Sequence, residues 1–134
     1  MGALRGVGAA DASRRVAGRK TVWEQVLHAA YWKQRVLNKV AAATRFPRPG
    51  SDWPPAPAEP DEAAWRADVE LLAELHRRLR EAVAGMSDGR LREGQTLWLI
   101  HGAAAHDLYH AGQIRLLRRM TGPVRRRNHM PSRS

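Results

Sequence analysis

Three stretches of the chain repeat apolar residues at helical spacing, and none shows the strict two-residue alternation of a half-buried strand. The first opens at Thr21, where Thr21-Val22-Trp23-Glu24 has the spacing of a capping box, hydroxyl and carboxylate each satisfying a free backbone N–H. It predicts a helix to about Ala43, with Val22, Val26, Ala29, Val36 and Val40 along one seam and Trp23, Leu27 and Leu37 widening it. The second runs from about Asp61 to Ala84, its acidic start suiting the positive end of the helix dipole. There Trp65, Val69, Leu72, His76, Leu79 and Val83 follow alternating steps of four and three, as in a helical bundle. The third is predicted from about Gln95 to Met120, stopping before Gly122-Pro123.

Residues 44–60 hold six of the eight prolines, which lack the N–H a regular element needs, so this stretch reads as a loop. Trp53 within it argues for packing against the body. Residues 9–17 offer a weak short helix with Val16 as the only sizeable apolar anchor, and Gly85 to Gly89 break the chain after the second long helix. The expectation is an all-α bundle of the four-helix type, with three long helices plus a short N-terminal segment, over residues 1–120. Three such helices leave apolar seams uncovered, so exposed apolar surface is expected on an isolated monomer, to be covered by a second subunit or an upstream segment.

Charge alters this picture little. The formal net charge is +10, but residues 1–20 carry five basic residues and one acidic, and residues 115–134 carry seven arginines and no acid. Residues 21–114 hold 11 basic and 12 acidic residues. The body is therefore near neutral, and residues 121–134 read as a basic disordered tail, solvated rather than a nucleic-acid-binding element, since no nucleic-acid motif accompanies them. With no cysteine, disulfides, thiolate metal sites and a cysteine nucleophile are excluded. No apolar run has the length of a membrane span and the N-terminus lacks a signal-peptide core, which gives a cytoplasmic expectation.

The candidate chemistry is in the last helix. His106 and His110 are four residues apart, about 40° of helical rotation, so both imidazoles point the same way. They share a stripe with Leu99, Ala103, Gln113 and Leu117, which places them in the core, where each neutral ring needs a partner for one donor and one acceptor. A divalent ion of the zinc or nickel type satisfies both acceptors. Asp107 is about 100° around the helix, a surface or supporting group rather than a ligand, and His101 points elsewhere. His76 reads as a boundary histidine or a supporting group. His28 lies near the apolar face of the first helix, and periodicity leaves open whether it packs there or completes a three-histidine set.

HDLYHAGQIRLLRR at 106–119, preceded by Gly102, resembles the C-terminal signature of the DinB/YfiT-like superfamily, and TVWEQVLHAAYW at 21–32 resembles its earlier histidine motif. DWP at 52–54 and Trp65 also fit, so the resemblance covers about residues 4–120. It implies a four-helix bundle holding a divalent ion, zinc or nickel, on His28, His106 and His110. It also implies a homodimer and, in some relatives, transfer reactions between small thiols and electrophiles. One departure stands out: members usually carry a full helix where residues 4–20 lie here, so one wall of the bundle is expected to be missing.

Three neutral imidazoles leave coordination positions open, the arrangement of a catalytic rather than a structural site. The leading reading is a metal-dependent enzyme of thiol S-transferase or hydrolase type, with sulfur supplied by the substrate. Tyr109, Gln113 and Asp107 lie near the ligands without an assigned role. The rival is a non-catalytic binding or stress-response protein with a vestigial metal site, and a weaker one is nucleic-acid association through the Arg-rich ends.

Overall fold

The capping box forms as its spacing predicts: the Glu24 N–H donates to Thr21 Oγ1 at 3.1 Å and the Thr21 N–H to Glu24 Oε2 at 2.7 Å. In the computed structural model, which describes residues 2–122, this box starts the central helix of an all-α fold. A single 3-10 turn (Gly2–Leu4) precedes α1 (Ala9–Ser13), α2 (Val22–Val40), α3 (Glu62–Ala84), α4 (Asp88–Leu91) and α5 (Thr96–Thr121). No strand occurs among the described residues, and none of their helices is long and apolar enough to cross a membrane. The helical body reaches Thr121, and residues 123–134, most of the expected basic tail, lie outside the described residues, as does His129.

α2 is buried on almost every side, from Val22 to Ala30 with only Glu24 half-buried. α3 and α5 each pack against it and barely meet one another. All eight apolar residues assigned to its seam are in the core, but it also buries Gln25, His28, Lys33 and Gln34. It ends at Val40, short of the expected Ala43. The reason is local: the Asn38 carboxamide takes both backbone groups of Thr44, donating to its carbonyl at 2.9 Å and accepting from its N–H at 3.0 Å, so the chain turns back.

Asp61 caps α3, its carboxylate accepting from the N–H groups of Ala63 and Ala64. Trp65, Leu72 and Leu79 are buried as the spacing predicts, whereas His76, Val69 and Val83 are only half-buried. Leu75 and Asp68 take core positions instead. Asp68 is held by two donors, Trp23 Nε1 at 2.8 Å and Arg48 Nε at 2.7 Å. The Trp23 and Trp65 rings meet edge to face with centroids 5.3 Å apart. A buried carboxylate is tolerable here because a charged and a neutral donor both answer it.

The N-terminal segment closes one end of the bundle rather than supplying a full fourth helix. Ala3, Ala9 and Ala12 are buried, Arg118 donates to the Ala3 carbonyl at 2.8 Å, and Glu62 accepts from the Ala9 N–H at 2.8 Å. Beyond it, the space between α3 and α5 stays open as clefts of about 300 and 440 Å³. The expected apolar surface is there too: Trp98, Leu108 and Tyr109 of α5 are each more than half exposed.

Replacing Asp68 with Ala strands the buried Trp23 N–H and the Arg48 guanidinium, and should cost about 3 kcal/mol. Asp68→Asn keeps an acceptor for one of them and should cost less. Urea unfolding of the three proteins measures both differences, and equal midpoints would show that the network contributes nothing.

Candidate metal centre

His28 from α2 and His106 and His110 from α5 come together, their ring nitrogens lying within 4.8 Å of one another. His106 Nε2 lies 3.2 Å from His28 Nε2 and 3.0 Å from His110 Nε2. His28 and His110 are buried and His106 is half-buried, so the group opens to one side only.

The partners of the other nitrogens determine what the cluster is. His28 Nδ1 sits 2.5 Å from the main-chain carbonyl of Asp52, and His110 Nδ1 meets Oε1 of Gln25. Both partners only accept, so each Nδ1 carries the proton and each Nε2 presents a lone pair. A single proton on His106 Nε2 satisfies one of these lone pairs and not both. Ligands at 2.0–2.1 Å from a tetrahedral centre are about 3.3 Å apart, close to the two separations from His106, and all three nitrogens lie within 4.8 Å of one another, so the group can close on a divalent cation.

The loop between α2 and α3 builds half of this environment. The Trp53 indole stacks on the His28 ring, centroids 3.8 Å apart and planes 7° from parallel, and Lys20 lies 5.0 Å from the Trp53 ring. Asp52 turns its carbonyl to His28 and its carboxylate to Trp32 Nε1 at 2.6 Å. Burial, reinforced by the neighbouring His106 and His28 rings, pushes the His110 pKa down to about 4. Burial first, and His28 second, lower that of His106 as well. Both rings are therefore neutral near pH 7, the state a cation requires.

A family model of the DinB superfamily matches residues 1–114. This chain belongs to the DinB superfamily. No curated protein and no solved structure matches it.

Within this DinB-superfamily chain, all three histidines singled out from the sequence converge. The neighbouring residues keep the places expected of them. His101 is exposed, and His76 stands apart from the cluster, half-exposed, 3.8 Å from Asp107 Oδ2. Asp107 is a supporting group, forming a 2.5 Å ion pair with the buried Lys33 that ties α5 to α2. Gln25, which the sequence reading did not single out, holds His110. Its position three residues before His28 puts it on the same face of α2, a signal present in the sequence. The Asp52 carbonyl had no such signal, because a main-chain oxygen is the same at every position.

The low His110 pKa gives the metal-free protein a pH-dependent stability. An unfolded histidine takes up its proton near 6.5, while folded His110 resists until about 4. Below pH 6.5 the unfolded state binds more protons, so stability is full above that value and falls as pH drops toward 4, by up to about 3 kcal/mol. Urea unfolding of the metal-free protein between pH 7.5 and 4 should show this decline, and His110→Gln should flatten it.

Proposed function

We propose that this protein is a metal-dependent enzyme whose divalent ion, zinc or nickel, is held by His28, His106 and His110. The observation that carries the reading is the pair of fixed Nδ1–H groups, which leaves two lone pairs converging on His106 with at most one proton between them. An ion with open positions lowers the pKa of a water or thiol and supplies a nucleophile near neutral pH. The protein's own share is to keep the imidazoles neutral, to orient them through Gln25 and the Asp52 carbonyl, and to leave His106 facing a cleft. With no cysteine in the chain, the sulfur in a thiol S-transferase reaction comes from a small-thiol substrate, and water takes its place in a hydrolase.

One observation favours a non-catalytic binding role. The charged side chains lining the cleft are already engaged, Asp52 with Trp32 and Lys33 with Asp107, so no free acid or base stands beside the ligands.

Protein purified without a chelating tag should carry close to one equivalent of divalent ion by elemental analysis. His106→Ala and His110→Ala should lose it, and absence of metal at pH 7.5 even after supplementation would overturn the reading. The loaded protein should then conjugate a small thiol to 1-chloro-2,4-dinitrobenzene faster than the His106→Ala variant does. Full loading without such activity, or hydrolysis of p-nitrophenyl esters, favours the binding role.

A second copy of the chain is the partner we infer for the outer face of α5. Leu97, Leu108, Tyr109, Leu116 and Met120 are exposed there, an apolar set of the kind that a standard interface buries. A helix apolar on its outer face as well as its inner one belongs in a buried setting, and a face present on every copy suits a two-fold contact. Sedimentation should give twice the 15.0 kDa chain mass, and Leu108→Glu should return it to one. A wild-type monomer at tens of micromolar would refute the pairing.

A further inference from the structure

We propose that the cleft beside the three histidines binds a flat, apolar small molecule carrying one anionic group, its ring against Trp32 and Trp98 and its charge answered by Lys33. The proposal rests on the metal-enzyme reading for its role, since it names the substrate class of that site, but the binding itself requires no ion. The cleft has a volume of about 350 Å³, within the range of small-molecule sites, and ends on His28 and His106. Its walls are mostly apolar (Trp32, Val36, Trp98, Leu99 and Ala103), and its charged lining is Lys33 with the Asp52 and Asp107 carboxylates, which are bonded to Trp32 and Lys33 respectively. Such a lining favours a ring or fused rings over a strongly polar molecule.

Trp32 is set in place before any ligand arrives. Its Nε1 donates to the Asp52 carboxylate at 2.6 Å and the Arg35 guanidinium lies 5.2 Å from its ring. Its ring centroid is 5.9 Å from that of His106 and 6.3 Å from that of His28, so a molecule lying along it has its end at the histidines. Lys33 supplies the polar requirement. Its ammonium is buried, Lys33 lines the cleft, and among the described residues its one hydrogen bond is to Asp107 Oδ2, so two of its three N–H groups are not used by the protein. An ammonium that keeps donors beyond its carboxylate partner can take a second anionic oxygen.

Gly102 points the same way. It lies within α5 and lines the cleft, and a Cβ placed there would meet nothing within 4 Å. Its φ is not in the left-handed region, so neither packing nor backbone geometry demands glycine, and glycine weakens a helix interior. What the missing side chain does is keep the cleft open.

Calorimetric titration of the full chain with 2-naphthoate, with and without bound ion, tests this. Saturable binding at one site is expected in both forms, at least tenfold weaker in Gly102→Leu and unchanged in Gly112→Leu, which crowds α5 away from the cleft. Both substitutions replace a helix-interior glycine whose Cβ space is empty, so both variants should fold. The neutral analogue 2-naphthalenemethanol should bind at least tenfold more weakly than the acid, which probes Lys33 without disturbing its pair with Asp107. Equal affinity in Gly102→Leu and wild type, equal affinity for acid and alcohol, or no saturable binding at millimolar probe would each overturn the proposal. Failure of the chain to take up metal leaves naphthoate binding to be seen in the metal-free protein, so the two readings fail separately.

Discussion

Everything in this fold answers to the burial of α2. A helix enclosed on nearly all sides normally carries apolar residues all round, yet this one takes Gln25, His28, Lys33 and Gln34 inside with it. Each such group costs several times the worth of an ordinary hydrogen bond if left unpaired, so each needs a partner from another element. Gln34 is met by Asn38 and Thr44, which ends the helix and starts the loop. Lys33 is met by Asp107, which fixes the register of α5. Gln25 and His28 are met by His110, His106 and the main chain at 52, and that set of partners is the candidate metal centre.

The same constraint joins electrostatics to function. Crowding three imidazoles where burial keeps them neutral is unfavourable for a protonated state and favourable for a cation. The ring nitrogens facing away are tied to oxygens that cannot donate, so the ligand tautomers do not depend on an ion arriving to select them. Such second partners raise ligand basicity as well as setting orientation. His28 and His106 also line a cleft whose walls belong to α2, the loop and α5 at once.

How much of this was legible in the sequence follows from what pattern can encode. Helical period identified the three long helices, the capping box located the start of α2, and the four-residue spacing of His106 and His110 placed two rings on one face. Period alone left His28 open, because a residue near an apolar stripe packs or binds according to what lies opposite. The family motif pointed to the second, and the structure brings His28 Nε2 to 3.2 Å from His106 Nε2. Asp68 and Leu75 in the core of α3, and His76 outside it, depend on which side of α3 meets α2, a matter of tertiary packing. The end of α2 at Val40 depended on a side chain competing for backbone groups six residues on, a local contest that propensity does not register.

The two tautomer-setting bonds differ in how a change of sequence would reach the metal centre. His110 relies on a side chain, so almost any replacement of Gln25 removes its acceptor. His28 relies on a peptide carbonyl, and whatever residue stands at 52 still brings one, provided the loop keeps its path with Pro54 buried beneath it. That leaves the side chain at 52 at liberty for other work, and the carboxylate there is spent on the Trp32 indole. One residue thus steadies a ligand through its backbone and shapes the neighbouring wall through its side chain. The binding face of the cleft is therefore open to variation at a position that reaches the candidate metal centre through its main chain.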